Sequence, residues 1–396
     1  MKILALLTIF SLALLSKINA TALSPEAKIS LLTCAPGDEI YSYFGHTAVR
    51  INDPKSGIDF VFNYGLFSFD APNFTWRFMK GETDYMIGGE RMPSFINSYI
   101  EEQRSVYEQI LNISQSEKQS LFDALVENAK KENRVYRYRH FSDNCSTRVQ
   151  DQLEKCVNHQ LQYDTSQDKK LTYRQLIDQC VPVNSWNGFG IKIALGIPCD
   201  HITTFSEKMF LPDYLMKSMA GAKVVRDGAS VPFVSAVTTI YQAKSVNQGF
   251  DFTSPVIVVN LLFLLVSWLT YMEYRRKKRM IWLDFLIFFS LGLAGLLLTF
   301  LCFFSLLEAT GSNLNLIWAF PTHLVFALLW LVPSLRPGLG WYLKLTAVSI
   351  LLFLVLMPFL PQTFHWLIVP ICLVILLRSL GSLSFPRKAF NLKTKI

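Results

Sequence analysis

The sequence predicts an α+β exported domain, a small antiparallel sheet packed on a cysteine-bearing helix, followed by an all-α membrane domain of five spans. Three observations predict it. Apolar residues make up 51% of the 396-residue chain, but the long continuous runs begin only after about residue 253. Before that point, short alternating tracts and amphipathic tracts succeed one another between turn clusters, the pattern of strands and helices in a soluble domain. The chain also opens like an exported protein. The organisation is therefore residues 1–20 as signal peptide, 21–253 as soluble domain and 254–396 as membrane domain.

The leader has Lys2 at its start, an apolar centre over Ile3–Leu15 and Ile18-Asn19-Ala20 as a cleavage site. No cysteine follows that site, so the sequence does not mark the chain as a lipoprotein. The formal net charge is +8, with much of the excess in short loops between apolar runs. That distribution reads as membrane orientation. The soluble half has no basic stripe interleaved with aromatics, which argues against nucleic acid as a partner.

Lys28–Cys34 reads as a first strand and Ala35-Pro36-Gly37-Asp38 as a turn. His46–Asn52 alternates, Asp53-Pro54-Lys55-Ser56-Gly57 carries turn chemistry, and Ile58–Tyr64 follows, so the two strands form a hairpin. Asn63 then returns towards His46. From Phe67 to Tyr99 aromatics are dense, with Phe67, Phe69, Phe74, Trp76, Phe78 and Tyr85 serving as core or as a lipid-binding wall. Ser116-Glu117-Lys118-Gln119 reads as a capping box opening a helix that buries Leu121, Phe122, Leu125 and Val126. Arg134–Arg139 reads as a strand, Leu171–Gln179 as a short helix, and Trp186–Gly196 as loop and apolar segment.

Five apolar runs approach the length of about 20 residues that a spanning helix needs. They are Pro255–Tyr274, Trp282–Phe304, Leu316–Val332, Tyr342–Leu360 and Phe364–Leu380. Basic residues follow the first (Arg275–Arg279), the third (Arg336) and the fifth (Arg378, Arg387, Lys388), whereas Ser305–Asn315 and Pro361–Thr363 have none. This asymmetry expects a multi-pass protein of a bacterial inner membrane, with the soluble domain periplasmic and the C-terminus cytoplasmic. Asn313, Asn315, Trp318, Pro321 and His323 put polar groups at the outer end of the third run, where such groups often mark function.

The chemistry centres on Phe141-Ser142-Asp143-Asn144-Cys145-Ser146-Thr147-Arg148. Asp143 or Asn144 suits an N-cap, with Val149 and Leu153 on one face of the helix that follows. Cys145 then occupies the first turn, where the helix dipole favours a thiolate. Of the six histidines, His46 has the distinctive setting, after Tyr41-Ser42-Tyr43-Phe44-Gly45 at the opening of a strand. The pair gives a nucleophile and its base, and Asn63 would orient the imidazole. Backbone amides at the helix start are expected to stabilise an oxyanion. Arg148 is a candidate to hold phosphate, and Tyr41, Asn315 and His323 are further substrate-binding candidates. His140, Cys145 and His46 lack the paired-ligand spacing of a metal site, and neither metal nor cofactor is expected. Of the seven cysteines, Cys302 and Cys372 lie in apolar runs, and Cys34, Cys145, Cys156, Cys180 and Cys199 would be exported. Cys145 is the expected free thiol, with a disulfide expected among Cys156, Cys180 and Cys199.

The order His46, polar residue on the neighbouring strand, Asn144-Cys145 at a helix start resembles the circularly permuted papain-like thiol enzymes. These include relatives of lecithin:retinol acyltransferase and cell-wall peptidases. More specifically, Tyr41–His46, Asn63-Tyr64-Gly65, Asp143–Arg148, Phe210–Leu215 and Asn315–Pro321 resemble the Lnb-type lipoprotein N-acyltransferase family. That resemblance implies a permuted papain-like periplasmic domain with five spans behind it. It also implies acyl transfer from phospholipid, through a thioester on Cys145 with His46 as base, to the N-terminal amine of a diacylated lipoprotein. The rival expectations are a membrane-tethered cysteine peptidase or amidase acting on cell wall, and a non-enzymatic envelope sensor or assembly factor.

Overall fold

The structure is a computed structural model of the chain and describes residues 22–68, 72–182, 184–226, 228–244 and 251–381. The expected signal peptide at 1–20 lies outside the described residues. Two compact units form, Met1–Val181 with Ile202–Asn247, and Pro182–His201 with Gln248–Ile396.

The first unit is an α/β domain around an antiparallel sheet. Its strands are β1 (Lys28–Cys34), β2 (His46–Asp53), β3 (Ile58–Leu66), β4 (Asp84–Arg91), β5 (Val106–Leu111), β6 (Val135–Arg137) and, from the far end of the unit, β10 (Val234–Tyr241). The order across the sheet is β10-β5-β1-β2-β3-β4-β6. Two interior strands, β1 and β3, are apolar along most of their length because both faces are covered. One face carries Ile29, Leu31, Val49, Ile51, Phe60 and Phe62 and packs on α3 (Gln115–Ala129) and α4 (Cys145–Cys156). The other carries Leu32, Ala48 and Val61 and meets Met92 and Phe95 of α2 (Met92–Glu101). A short helix α1 (Phe74–Met79) precedes β4 and buries none of its residues.

The β2–β3 hairpin forms as expected, with Ala48 opposite Asn63. Asp53 closes its turn, accepting from the Ser24 hydroxyl at 2.5 Å and the Ser56 hydroxyl at 2.8 Å. The expected strand at Arg134–Arg139 is shorter, because only Val135–Arg137 finds a partner, on β4. The capping box of α3 starts two residues earlier than expected. Ser114 is the N-cap, and its amide donates to Glu117 Oε2 at 2.6 Å. Ser116 lies inside the first turn. Leu121, Phe122 and Leu125 are buried, while Val126 is partly so.

After α5 (Tyr173–Cys180), the expected loop at Trp186–Gly196 is instead helix α6 (Trp186–Ala194). Ser185 caps it through the Gly188 amide at 2.9 Å, offsetting the helix-breaking tendency of Gly188 and Gly190. This helix belongs to the second unit. The first unit resumes with α7 (Phe205–Lys208), α8 (Pro212–Gly221) and a small sheet of β7 (Leu161–Gln162), β8 (Lys223–Arg226) and β9 (Ala229–Pro232).

The second unit is helical: α6, α9 (Pro255–Arg276), α10 (Ile281–Phe303), α11 (Thr322–Trp330), α12 (Arg336–Leu356) and α13 (Ile368–Gly381). Among the described residues, three helices are long and apolar enough to cross a membrane: α9, α10 and Arg336–Phe359, which is α12 extended by a 3-10 turn. Leu314–Trp330 and Ile368–Gly381 are shorter apolar helices. The third expected run is broken into a 3-10 turn, Leu314–Ile317, and α11, which starts after Pro321. Proline has no N–H and keeps the preceding residue out of the α conformation.

Three expected loop cations, Arg279, Arg336 and Arg378, are interior groups, and Arg336 donates to the carbonyls of Trp330 and Leu331 at 2.8 and 3.0 Å. Arg378 is 1% exposed and bonds Glu273 at 2.6 Å and Asp284 at 2.8 Å. Arg279 Nε donates to the same Asp284 at 2.6 Å, and the Trp330 indole joins it at 3.1 Å. Two guanidinium groups thus neutralise two carboxylates among α9, α10, α11 and α13. Arg275 to Lys278 are exposed, Arg275 and Arg276 in the last turn of α9 and Lys277 and Lys278 just beyond it.

Candidate active site

Cys145 is the first residue of α4, and Asn144 is its N-cap. Asn144 Oδ1 accepts from the Ser146 and Thr147 amides at 2.8 and 3.0 Å, and its Nδ2 donates to the carbonyls of His140 and Phe210 at 2.7 and 2.9 Å. Every polar atom of this buried side chain is used, which locks the start of the helix. The cap also consumes two of the amides expected to bind an oxyanion. The backbone N–H of Cys145 itself remains for that task.

Helix α4 lies on β2 through Val149 and Leu153, and a hydroxyl pair fixes its register. Thr47 Oγ1 and Ser146 Oγ are 2.8 Å apart and buried. Each belongs to the neighbour in sequence of one member of the pair, His46 and Cys145. The Thr47 backbone N–H, the Ser146 hydroxyl and the amides of Cys145 and Ser146 are directed at the sulfur and favour its anion. Burial outweighs them and pushes the Cys145 thiol above the ordinary range. The helix-start environment therefore moderates the thiol without making it a resting thiolate, contrary to expectation. Burial likewise holds His46 down at about 4, partly countered by its hydrogen bond to Asn63. The resting pair is neutral thiol and neutral imidazole, with no hydrogen bond between them among the described residues. Apo geometry of this kind commonly tightens when substrate binds.

Asn63 stands where the hairpin predicts. Its Oδ1 lies 3.2 Å from His46 Nε2, and its Nδ2 donates to Glu90 Oε1 at 3.4 Å. Glu90 thereby sets the amide orientation. An amide oxygen only accepts, so His46 carries its proton on Nε2 and keeps a lone pair on Nδ1. Glu90 sits on β4 without a distinctive motif, and nothing in the sequence pointed to it. Gly45 has φ +78°, and a Cβ there would lie 2.7 Å from the Cys34 carbonyl oxygen. Only glycine lets the chain turn so close to β1 before His46. A side-chain carbon on Gly65 would lie 3.7 Å from Cys145 Cβ and 4.0 Å from the Tyr138 ring, so that ring stands one van der Waals layer from the thiol residue.

The other expected site residues have partners of their own. Arg148 is committed to Asp143, at 2.5 and 2.9 Å, and stacks 3.6 Å from the Tyr136 ring centre. It lines a polar cavity of about 600 Å³ with Arg139, Asp151 and Lys155, and its charge is already paired. Tyr41 is 55% exposed and meets Phe67 edge-on at 6.1 Å. In the second unit, Asn313 and Asn315 cap the C-terminal carbonyls of α6: Nδ2 of each donates to Ile193 O, at 2.8 and 2.9 Å. Asn315 Oδ1 accepts the Trp318 indole at 2.9 Å, so both ends of that side chain serve the fold. His323 is buried, its Nδ1 2.7 Å from the Tyr342 hydroxyl and its ring against Phe288. All seven cysteines are free. Instead of closing an expected disulfide, Cys156 donates to Leu153 O at 3.1 Å, and Cys199, in the other unit, to Ala309 O at 3.3 Å.

Neither the curated proteins nor the solved structures yield a match to this chain. Two family descriptions do match. Residues 16–179 match the Lnb N-terminal periplasmic domain, and residues 246–389 match the Lnb transmembrane domain. With both domains present in order and covering most of its length, the chain belongs to the Lnb family, as a membrane protein with a periplasmic domain.

Proposed function

We infer that the protein is a thiol-dependent lipoprotein N-acyltransferase of the bacterial envelope. The observation that carries this reading is the junction of β2 and α4. It sets Cys145 against the residue that follows His46, while Asn63 holds the imidazole by Nε2 and leaves Nδ1 basic. The substrates in this reading, a phospholipid donor and a diacylated lipoprotein acceptor, are those implied by the resemblance to lipoprotein N-acyltransferases. The five-span reading of 254–396, with α11 and α13 as the short members and the C-terminus cytoplasmic, belongs to the same proposal. It would confine the enzyme to the membrane that holds both reactants.

In the first step His46 Nδ1 takes the Cys145 proton as sulfur attacks an ester carbonyl of the phospholipid. The tetrahedral oxyanion is held by the Cys145 N–H. The ester C–O bond then breaks, and the imidazolium returns the proton to the departing lysophospholipid oxygen. In the second step the N-terminal amine of the lipoprotein attacks the thioester. His46 takes the amine proton, the C–S bond breaks and the thiol is restored. An amide forms from a thioester, a downhill exchange that needs no further energy source. Because the resting thiol is protonated, proton removal accompanies attack.

Replacing Cys145 with Ala and weighing lipoprotein N-terminal peptides by mass spectrometry tests this. Loss of the amide-linked chain, leaving diacyl forms, is the expected result. Intact triacyl peptides would overturn it, and altered muropeptides beside them would move the assignment to a cell-wall peptidase.

A further inference from the structure

We propose that His140 is a second substrate-facing imidazole of the site, accepting a hydrogen bond from the lipoprotein amine while His46 takes that amine's proton. This deepens the acyl-transfer reading and rests on it. His140 bridges the two segments that carry the reacting pair. Its ring meets Phe44, two residues before His46, edge-on at 4.4 Å. Its carbonyl accepts from Asn144, one residue before Cys145, at 2.7 Å. The backbone bridge between Arg139 and Asp143 closes the turn that brings it there. Phe141 and Phe210 stand edge-on to the same ring at 5.3 and 5.7 Å.

Three phenylalanines thus hold the ring, and no hydrogen bond reaches either of its nitrogens among the described residues. The ring is half-buried, and its nitrogens, unlike His323 Nε2, are open to solvent. Burial holds His140 down at about 4, so the imidazole is neutral and one nitrogen always offers a lone pair. A ring used for packing alone would serve as well without nitrogens. The second step has a use for them. In the first step one proton moves, from Cys145 to His46 and on to the departing oxygen. The amine nitrogen, by contrast, arrives with two hydrogens, and both become better donors as positive charge gathers on it during attack. His46 removes one and returns it to the sulfur as the C–S bond breaks. The other stays as the amide N–H. His140 holds that hydrogen during attack, which aims the nitrogen lone pair at the thioester carbon. His140 keeps no proton at the end, so the balance of the two steps is unchanged.

Single turnovers of the full-length protein in mixed micelles test this. Phosphatidylethanolamine acylates Cys145, followed by intact-protein mass spectrometry, and the S-acyl protein is then given one of two acceptors. One is a diacylglyceryl-cysteine peptide; the other is 2-mercaptoethanol, whose thiol brings a single hydrogen. His140→Phe keeps the ring contacts. It should match wild type in S-acylation and in transfer to mercaptoethanol, yet transfer to the peptide about tenfold more slowly, the worth of one hydrogen bond to a charged group. Equal slowing of all three steps, or no slowing of any, would overturn the assignment. A second comparison uses the wild-type protein alone. An N-methylated peptide acceptor, whose nitrogen also brings one hydrogen, should react about tenfold more slowly than the primary amine; equal rates would overturn the assignment. A wild-type protein that never gains an acyl group on Cys145 would overturn the acyl-transfer reading and this assignment with it. If wild type is acylated and His140→Phe is not, the assignment alone falls.

Discussion

On the proposed mechanism, His46 sets the pH behaviour of the site. Because burial holds it at about 4, it stays neutral and basic across the ordinary histidine range near 6.5. Acidification removes activity by protonating Nδ1, so the acid limb of acyl transfer should fall near 4. A limb near 6.5 in a pH–rate profile would mean that the working ring is solvated. Asn63 acts on that ring through Nε2. Its replacement by Ala should lower turnover about 100-fold with little change in KM, as expected for misplacing a catalytic group. The acid limb should also move to lower pH, because the lost hydrogen bond is one that raises the His46 pKa. Gly45→Ala forces both a left-handed Ala and contact with the Cys34 carbonyl. It should cost about 1–3 kcal/mol, read from unfolding of the purified protein. The places of His46, Asn63 and Cys145 on strand, hairpin and helix start were legible in the sequence because strand alternation, turn residues and cap chemistry each leave a local mark. Glu90 and Thr47 leave none, since their roles arise only when distant strands align.

At the scale of elements, the start of α4 depends on one amide. Asn144→Ala removes the acceptor for two N–H groups and strands two carbonyls. A cost of about 2–4 kcal/mol is expected, from a lost cap plus buried unsatisfied groups. Asn144→Asp keeps the cap but cannot donate to His140 and Phe210, so it should recover only part of that stability in a denaturant titration. Full recovery would mean that the two donated bonds contribute little. Part of the strand pattern came out well: β1 and the hairpin sit where alternation and turn residues put them, whereas the cap of α3 and the ends of β6 were misplaced. Helix α6 was missed because its two glycines read as loop, and the Asn313 and Asn315 side chains that cap its last turn lie more than a hundred residues away. These same two amides drew attention as substrate ligands for a sound reason, since polar groups at membrane depth need partners. Their partners are backbone carbonyls.

For the molecule as a whole, the buried quartet of Glu273, Asp284, Arg279 and Arg378 ties the second unit together. Arg378→Ala would leave both carboxylates short of a partner and should destabilise the detergent-solubilised protein by about 3–5 kcal/mol. Replacing Arg378 with Met together with Glu273→Gln and Asp284→Asn should restore part of that loss. If it did not, hydrogen-bond geometry and not charge would be what the quartet supplies. The sequence showed these arginines only as loop cations, since a count of Lys and Arg says nothing about which way a side chain turns. It showed the two-part organisation clearly, because apolar runs are a property of composition. The three-dimensional partition differs in one respect: Pro182–His201 packs with the helices of the second unit.

That excursion bears on how the molecule can be dissected. The backbone passes between the units at Val181, again at His201 and a third time at Asn247. A truncated version stopping ahead of α9 would carry α6 with its C-terminal carbonyls uncapped and Phe189 stripped of its neighbour His365. Such a fragment should clump on a sizing column, whereas one that also swaps 182–201 for a short glycine-serine tether should run as a monomer. The first unit is thus stitched to the second by three passages of the chain, and anyone cutting along the hydropathy boundary will tear the seam.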